Sequence, residues 1–201
     1  RWGRVMESTG EDPLLNSRLA AAMVRGYQGE NLKEDNWRVA ACVKHFAAYG
    51  GALAGRDYNT VDMSERQLRE MYLPGYKAGL DAGAKLVMTS FNTVDGIPAT
   101  GNQWLFRDVL RNEFGFEGVV ISDWGAIKEL IPHGVAKDEK QAAELAIKAG
   151  VDIEMMTTCY PDYLKELLEE GRIAETLIDE AVMRILKLKN ELGLFENPYR
   201  G

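Results

Sequence analysis

The sequence predicts an α/β fold built from parallel strands that alternate with helices. Apolar strand candidates begin near residues 39, 84, 117 and 151, and a helical pattern lies between each pair. This alternation is typical of right-handed βαβ units that share one parallel sheet. The strand candidates are apolar throughout, as is typical of strands covered on both faces. Four such units fit either a doubly wound open sheet or part of a (β/α)8 TIM barrel.

Capping residues and apolar residues at helical spacing place the helices. Asp12-Pro13 begins the first helix, because Asp is a preferred cap and proline is tolerated in the first turn. Ser64-Glu65-Arg66-Gln67 forms a capping box for the second, which Pro74-Gly75 must kink or restart. One face of the first helix carries apolar residues at helical spacing, namely Leu15, Leu19, Ala22, Met23 and Tyr27.

Four more helices are predicted over about residues 102–114, 138–149, 160–170 and 175–192. The stripe of the last helix that is predicted to pack inward consists of Ile178, Val182, Ile185 and Leu186. Gly193 ends this helix, and an extended tail follows. Between the first strand and the second helix, residues 50–59 carry Gly and no periodicity, which indicates a functional loop.

Composition excludes several classes of partner. The net charge of −7 argues against nucleic acid and against an anionic membrane surface. No apolar run approaches the roughly 20 residues that span a bilayer. We expect no metal or cofactor, because Cys42 and Cys159 show no ligand spacing and no Gly-x-Gly-x-x-Gly turn or Walker loop occurs. The compartment is left open, with the cytoplasm slightly preferred to the periplasm or secretion.

Polar residues gather where each predicted strand ends. They are Lys44-His45, Thr89-Ser90-Asn92, Ser122-Asp123-Trp124 and Asp152 with Glu154. In a barrel of alternating strands and helices, the carboxyl ends of the strands form the catalytic face. Asp123 is the sharpest candidate, because the Trp124 indole beside it offers an apolar face for a sugar ring. The alternative is that Asp123 only caps the next element.

Lys44 and Arg56 each allow more than one interpretation. Lys44 could be a Schiff-base nucleophile, could bond the hydroxyls of a ligand, or could extend from the rim while His45 packs in the core. Arg56 and Asp57 lie in the glycine-rich loop and could form an ordinary surface ion pair.

Several ordered motifs resemble glycoside hydrolase family 3, and they cover essentially the whole chain. The resemblance is closest to the bacterial β-glucosidase branch, whose members often also cleave β-xylosides. Residues 47–51 lack the Pro-Gly-His-Gly-Asp run of the N-acetylglucosaminidase branch, which argues against that branch. The motifs are Arg1-Trp2-Gly3-Arg4, Gly10-Glu11-Asp12-Pro13, Lys44-His45-Phe46, Gly55-Arg56-Asp57-Tyr58-Asn59, Ser64-Glu65-Arg66, Met88-Thr89-Ser90-Phe91-Asn92, Ser122-Asp123-Trp124-Gly125 and Gly193-Leu194-Phe195.

The resemblance implies roles for named positions. Asp123 matches the catalytic nucleophile of a retaining enzyme, which cleaves by double displacement. Trp124 matches the aromatic residue that lines the subsite of cleavage, and Phe91 falls where many members have Tyr. The positions that match contacts to sugar hydroxyls are Arg4, Lys44, His45 and Arg56. Cations nearby would lower the pKa of the nucleophile, and Lys44, Arg56 and Arg4 are the candidates.

The resemblance also implies parts that this sequence does not contain. Residues 1–192 match roughly the carboxyl-terminal five-eighths of the (β/α)8 barrel, and residues 193–201 match the start of an interdomain linker. An amino-terminal barrel segment and a second α/β domain are therefore expected partners, and the second domain would supply the acid/base. Asp152 and Glu154 are less favoured as the acid. The expected substrate is a carbohydrate, either a β-glucoside or a short oligosaccharide.

Two hypotheses from other classes stay open. One is a lyase that forms a Schiff base at Lys44 on the same fold. The other is a sugar-binding remnant that does not catalyse, because the acid/base is not found in these residues.

Overall fold

A computed structural model describes residues 2–199, so Arg1 of the first motif and the last two residues of the predicted linker lie outside it. The strands are β1 Cys42–Phe46, β2 Thr60–Val61, β3 Leu86–Thr89, β4 Thr93–Val94, β5 Ile97–Pro98, β6 Val119–Trp124 and β7 Ile153–Met155. The helices are Pro13–Gln28, Glu65–Gln67, Leu68–Tyr72, Leu73–Asp81, Trp104–Glu113, Glu139–Ala149, Cys159–Glu169 and Glu175–Glu191. The boundary between residues 192 and 193 stays a prediction.

Four parallel strands form the main sheet in the order β1-β3-β6-β7. Helices connect them, as the sequence predicts for part of a (β/α)8 barrel. The sheet does not close, since β1 and β7 each have one neighbouring strand within residues 2–199. The first strand begins three residues later than predicted. The backbone N–H groups of Val39 and Ala41 bond to Tyr27 and to the Gln28 side chain, so this stretch is tied to the first helix.

A second, small sheet lies in the loops that follow the main strands. Its order is β2-β4-β5, with β2 parallel to β4 and β4 antiparallel to β5. The glycine-rich loop also contains two helical turns, Tyr49–Gly51 and Leu53–Gly55. Strands of two residues leave no hydrophobic periodicity in a sequence, which is why this sheet is not predicted.

The predicted caps at Asp12 and Ser64 are present, and Asp138 caps a further helix. Asp12 and Asp138 each accept a hydrogen bond from the backbone three residues on, at 2.7 and 2.8 Å. Ser64 accepts one from the Gln67 N–H at 3.2 Å. The disturbance expected near Pro74 appears as a π-helical segment, Leu68–Tyr72, that passes into the α-helix Leu73–Asp81.

The core lies between the main sheet and the helices. Its largest fully buried side chains include Phe46, Leu105, Phe106 and Leu110. Gly118 lets β6 start close to β3, because a Cβ atom at this position would stand 2.3 Å from the carbonyl oxygen of Lys85. A side chain there would push the two strands apart.

Asp152 lies at the opposite end of the sheet from Asp123. Its carboxylate pairs with Arg111 at 3.0 Å and Arg184 at 2.9 Å, and it accepts the Val120 N–H at 2.8 Å. The side chain therefore ties strand β6 to the helices Trp104–Glu113 and Glu175–Glu191. This placement does not fit the alternative role of Asp152 as the acid.

The apolar face of the first helix is largely exposed, and the inward stripe predicted for the last helix is only partly correct, since Ile178 packs against the core. On the first helix, Leu15, Met23 and Tyr27 are 50%, 49% and 52% exposed, and Val24 and Gln28 are buried instead. On the last helix, Val182 and Leu186 are exposed, and Ala181 is the buried residue. Periodicity detects an apolar face, but it does not say whether another element covers that face. Both helices therefore present open apolar surface on this chain.

The 201-residue chain on its own is expected to self-associate. Two open sheet edges and two apolar helix faces invite contacts between copies. Sedimentation velocity should show dimers or larger species, and a triple variant with Leu15, Leu19 and Met23 replaced by Gln should shift them toward monomer. Arg18→Gln, on the same helix, is the matched control. A chain that is monomeric at all concentrations would contradict the prediction.

Candidate active site at the carboxyl ends of the strands

Asp123 lies near the carboxyl end of β6 and is 8% exposed. Its Oδ1 accepts the Trp124 N–H at 2.7 Å, and its backbone N–H donates to Thr89 Oγ1 at 3.2 Å. Its Oδ2 is buried and has no hydrogen-bond partner within residues 2–199. One carboxylate oxygen is thus fixed, and the other is left available for chemistry.

Burial raises the pKa of Asp123 above its ordinary value. The Trp124 N–H and the cations Arg4 and Lys44 lower it, but they do not outweigh desolvation. Arg4 and Lys44 therefore lower the pKa of Asp123 as expected, but burial has the larger effect and the net shift is upward. Arg56 is exposed, and its guanidinium has no partner in the described part of the chain.

His45 lies beside Asp123 and is buried. Its Nε2 is 3.4 Å from Asp123 Oδ2 and 3.2 Å from Arg4 Nη2. Burial, together with Lys44 and Arg4, lowers the pKa of His45 to about 4, so the ring is neutral at physiological pH. A neutral imidazole that accepts from Arg4 at Nε2 carries its proton on Nδ1. In that tautomer His45 gives no proton to Asp123, which agrees with the unpartnered Oδ2.

Arg4 lies before the first helix, and its side chain reaches the site from there. Its Nε and Nη2 donate to Glu7 at 2.7 and 2.8 Å, and its Cζ lies 5.1 Å from the centre of the Tyr49 ring. Arg4 is therefore contacted by two groups that the sequence analysis did not single out, Glu7 and Tyr49. The spacing of three residues between Arg4 and Glu7 is a signal that could have revealed the pair.

The aromatic residues form a wall beside the carboxylate. Phe91 is buried, with ring centres 4.2 Å from Tyr58 and 5.9 Å from Tyr49. Trp2 packs edge-on against Tyr49, and its indole N–H donates to Asp57 at 2.9 Å. Asp57 therefore holds Trp2 and does not pair with Arg56. Trp124 is 62% exposed, so its indole offers an open apolar face.

Polar side chains around the site bind its backbone. Ser122 Oγ accepts the Met155 N–H at 2.8 Å and thereby ties β6 to β7. Asn92 donates to the Ala47 carbonyl at 3.1 Å, and Tyr76 donates to the His45 carbonyl at 2.5 Å. Lys44, next to His45, is exposed at the rim.

Two further carboxyl groups lie on this face, Glu154 in β7 and Glu129 in the loop after β6. Glu154 accepts the N–H groups of Cys159 and Tyr160 at 3.0 and 2.7 Å, so it caps the helix Cys159–Glu169. Glu129 is half-buried on the loop after β6, and burial together with Asp123 raises its pKa. Within residues 2–199, no cluster of three His, Cys, Asp or Glu side chains could hold a metal, and no helix is long and apolar enough to cross a membrane.

Residues 1–188 match the family described as "Glycosyl hydrolase family 3 N terminal domain". The chain belongs to glycosyl hydrolase family 3. The resemblance carried by the motifs is thereby confirmed, and the parallel sheet described above is part of the family 3 barrel domain.

Relatives and solved structures agree with this assignment. The chain is 48% identical over 199 residues to a periplasmic β-glucosidase of Salmonella typhimurium, covering 99% of this chain and 26% of that protein. It is 39% identical over 206 residues to a β-xylosidase of Formosa agariphila, covering 98% and 28%. A crystal structure of a Listeria innocua β-glucosidase with isofagomine superposes with a TM-score of 0.98 at 65% identity, covering 100% of this chain and 28% of that one. The chain thus spans about a quarter of the length of these family 3 relatives.

Proposed function

We propose that this chain contributes the nucleophile and much of the sugar-binding subsite to a retaining β-glycosidase. One observation carries the proposal: Asp123 Oδ2 is buried, has no hydrogen-bond partner among residues 2–199, and lies beside His45 at the carboxyl ends of the strands. A retaining mechanism needs a carboxylate that is held firmly and has one oxygen free to attack.

The reaction is a double displacement. Asp123 attacks the anomeric carbon, the leaving-group oxygen takes a proton from an acid, and a covalent glycosyl ester forms. Water then attacks the ester, the conjugate base of the acid takes a proton from that water, and Asp123 is released. Lys44, His45 and Arg4 would bind ring hydroxyls, while Trp124 and Phe91 would line the subsite. Arg56 could join them only if ligand binding or a second domain moves its exposed side chain.

The acid/base is proposed to come from a second α/β domain beyond this chain. Asp152 and Glu154 support that view, because the first pairs with two arginines and the second caps a helix. Glu129 is the carboxyl group of this chain on which the proposed origin of the acid/base can be tested. If Glu129→Gln abolished turnover of unactivated disaccharides and azide restored turnover of aryl glycosides, the acid would lie in this chain.

The substrate class is proposed to be terminal, non-reducing β-D-glucosyl or β-D-xylosyl residues. Relatives that cover nearly all of this chain are named β-glucosidases and β-xylosidases. The complete protein that contains this chain should hydrolyse an aryl β-glucoside or β-xyloside, and proton NMR should show the β-anomer as the first product. The α-anomer as first product would mean inversion and would contradict the proposal.

The Schiff-base alternative is not favoured. Lys44 is exposed and lacks the apolar enclosure that activates such lysines. Borohydride trapping with a carbonyl substrate would nevertheless detect it as an adduct at Lys44. A sugar-binding protein without activity would instead bind a monosaccharide and turn over none of the aryl glycosides, even in the complete protein.

Lys44→Met in the complete protein is expected to lower kcat/KM by roughly a hundredfold, or about 2.7 kcal/mol of transition-state binding. Because the side chain is exposed, the unfolding free energy should change by no more than about 0.5 kcal/mol. Lys165→Met, on the exposed face of the helix Cys159–Glu169, is the matched control. Loss of stability without a change in kcat/KM would show that Lys44 serves the fold.

A further inference from the structure

Glu7 makes the strongest contacts to Arg4. The two side chains form a bidentate pair, with Arg4 Nε and Nη2 donating to the two Glu7 oxygens at 2.7 and 2.8 Å. Arg4 Nη2 also reaches His45 Nε2 at 3.2 Å, and the guanidinium lies over the Tyr49 ring. A bidentate pair fixes both the position and the plane of a guanidinium.

The fixed position matters because of what lies next to it. Asp123 Oδ2 is buried without a hydrogen-bond partner among residues 2–199, and the positive charge of Arg4 acts on this carboxylate. The charge of Arg4 also acts on Asp57, but Asp57 already accepts the Trp2 N–H. A guanidinium that lost Glu7 would therefore pair with Asp123, since planar bidentate pairs are favourable. Paired with Asp123, it would occupy the attacking oxygen and weaken the nucleophile.

We propose that Glu7 is a positioning residue that holds the Arg4 guanidinium beside His45 and off the Asp123 carboxylate. The proposal deepens the function proposed above and rests on it. Glu7 acts through Arg4 and does not itself touch the reacting atoms.

The electrostatic consequence has a definite sign. Arg4 and Lys44 lower the pKa of Asp123, while Glu7 raises it. Removing Glu7 takes away a negative charge and lets Arg4 approach, and both changes lower the pKa of Asp123. The acid limb of kcat/KM should therefore move to lower pH, because Asp123 stays ionised there. The charged or titratable groups near Asp123 are Arg4, Glu7, Cys42, Lys44, His45, Tyr58 and Glu129.

Glu7→Ala in the complete protein tests the proposal. We expect kcat to fall about a hundredfold, which is the scale of loss when a group of the active site is misplaced by about 1 Å. KM should change less, and the acid limb of the kcat/KM profile should move to lower pH. Glu11→Ala, in the same segment, is the matched control and should leave all three unchanged. In an Arg4→Ala background, Glu7→Ala should cost no more than a few-fold, since the two residues act as one unit.

A crystal structure of the Glu7→Ala protein gives a readout that does not depend on turnover. Arg4 should be found within hydrogen-bond distance of Asp123. The proposal would be overturned if Arg4 stayed beside His45. It would also be overturned if Arg4 turned to solvent and the acid limb of the kcat/KM profile stayed in place or moved to higher pH. Equal losses from Glu7→Ala with and without Arg4 would overturn it as well. Failure of the wild type to hydrolyse any β-glycoside would instead refute the proposed function, and the position of Arg4 would still decide the role of Glu7.

Discussion

Replacing Asp123 with Asn is expected to lower kcat in the complete protein by four orders of magnitude or more, roughly the scale seen when a nucleophilic unit is broken. Without the carboxylate no glycosyl ester can form. The fold should tolerate the change, because the Asn amide oxygen can still accept the Trp124 N–H. Burial raises the pKa of Asp123, so the charge is not what stabilises this part of the fold.

The control and the chemical test separate the nucleophile from other carboxylates. Asp179→Asn removes an exposed carboxylate from the last helix and should leave kcat unchanged. A mechanism-based 2-fluoroglycoside should label the wild type at Asp123, and peptide mass spectrometry should locate the label. A label on Asp152, Glu154 or Glu129 would show that the assignment is wrong.

The strand ends were the most predictable part of this molecule. An apolar run that stops abruptly at Ser122-Asp123-Trp124 has one physical meaning, which is that a buried strand reaches the edge of the core. Because parallel strands end on the same side, the approach of His45 and Thr89 to Asp123 followed from the alternation of elements. The helix caps at Asp12, Ser64 and Asp138 were predictable for a similar reason, since a cap is a local interaction.

Long-range consequences were less predictable. The pKa of Asp123 depends on a balance between burial and several charges, and a sequence shows the charges but not the depth of burial. Arg56 has the right residue type and lies in the right loop, yet its side chain is exposed. The sequence analysis did not single out Glu7, because the role proposed for it depends on where the Arg4 side chain lies. The residues before the first helix carry no regular pattern that predicts this position.

Asp152 shows how a site prediction and a structural role can be confused. The sequence analysis grouped it with Glu154 among the polar residues at the ends of the predicted strands, which allowed a role near the pocket. In the fold it lies at the amino end of β7, where two arginines and a backbone N–H take up its oxygens. Its position at the start of the strand was the sequence signal that pointed away from the catalytic face.

Asp152→Ala is expected to destabilise the domain by about 3–5 kcal/mol, because the change leaves Arg111 and Arg184 without their buried partner. Burial already lowers the pKa of Arg111 to about 10 even with Asp152 present, so an unpaired guanidinium there is costly. The Val120 N–H also loses its acceptor. Scanning calorimetry on the complete protein should show a transition lowered by several degrees.

A set of variants distinguishes a structural role of Asp152 from a role as the catalytic acid. Asp152→Asn keeps the shape and an acceptor for Val120, so it should cost less stability than Ala and should leave kcat near the wild-type value at temperatures below the transition. Asp179→Ala, on the exposed face of the last helix, should shift the transition by no more than a degree or two, the scale of an ordinary surface change. If Asp152→Asn instead abolished turnover while the transition stayed in place, the residue would be acting in catalysis. The buried pairs with Arg111 and Arg184 favour a loss of stability without a loss of turnover. A catalytic acid must be able to release its proton to a substrate, whereas Asp152 faces two cations at the far end of the sheet.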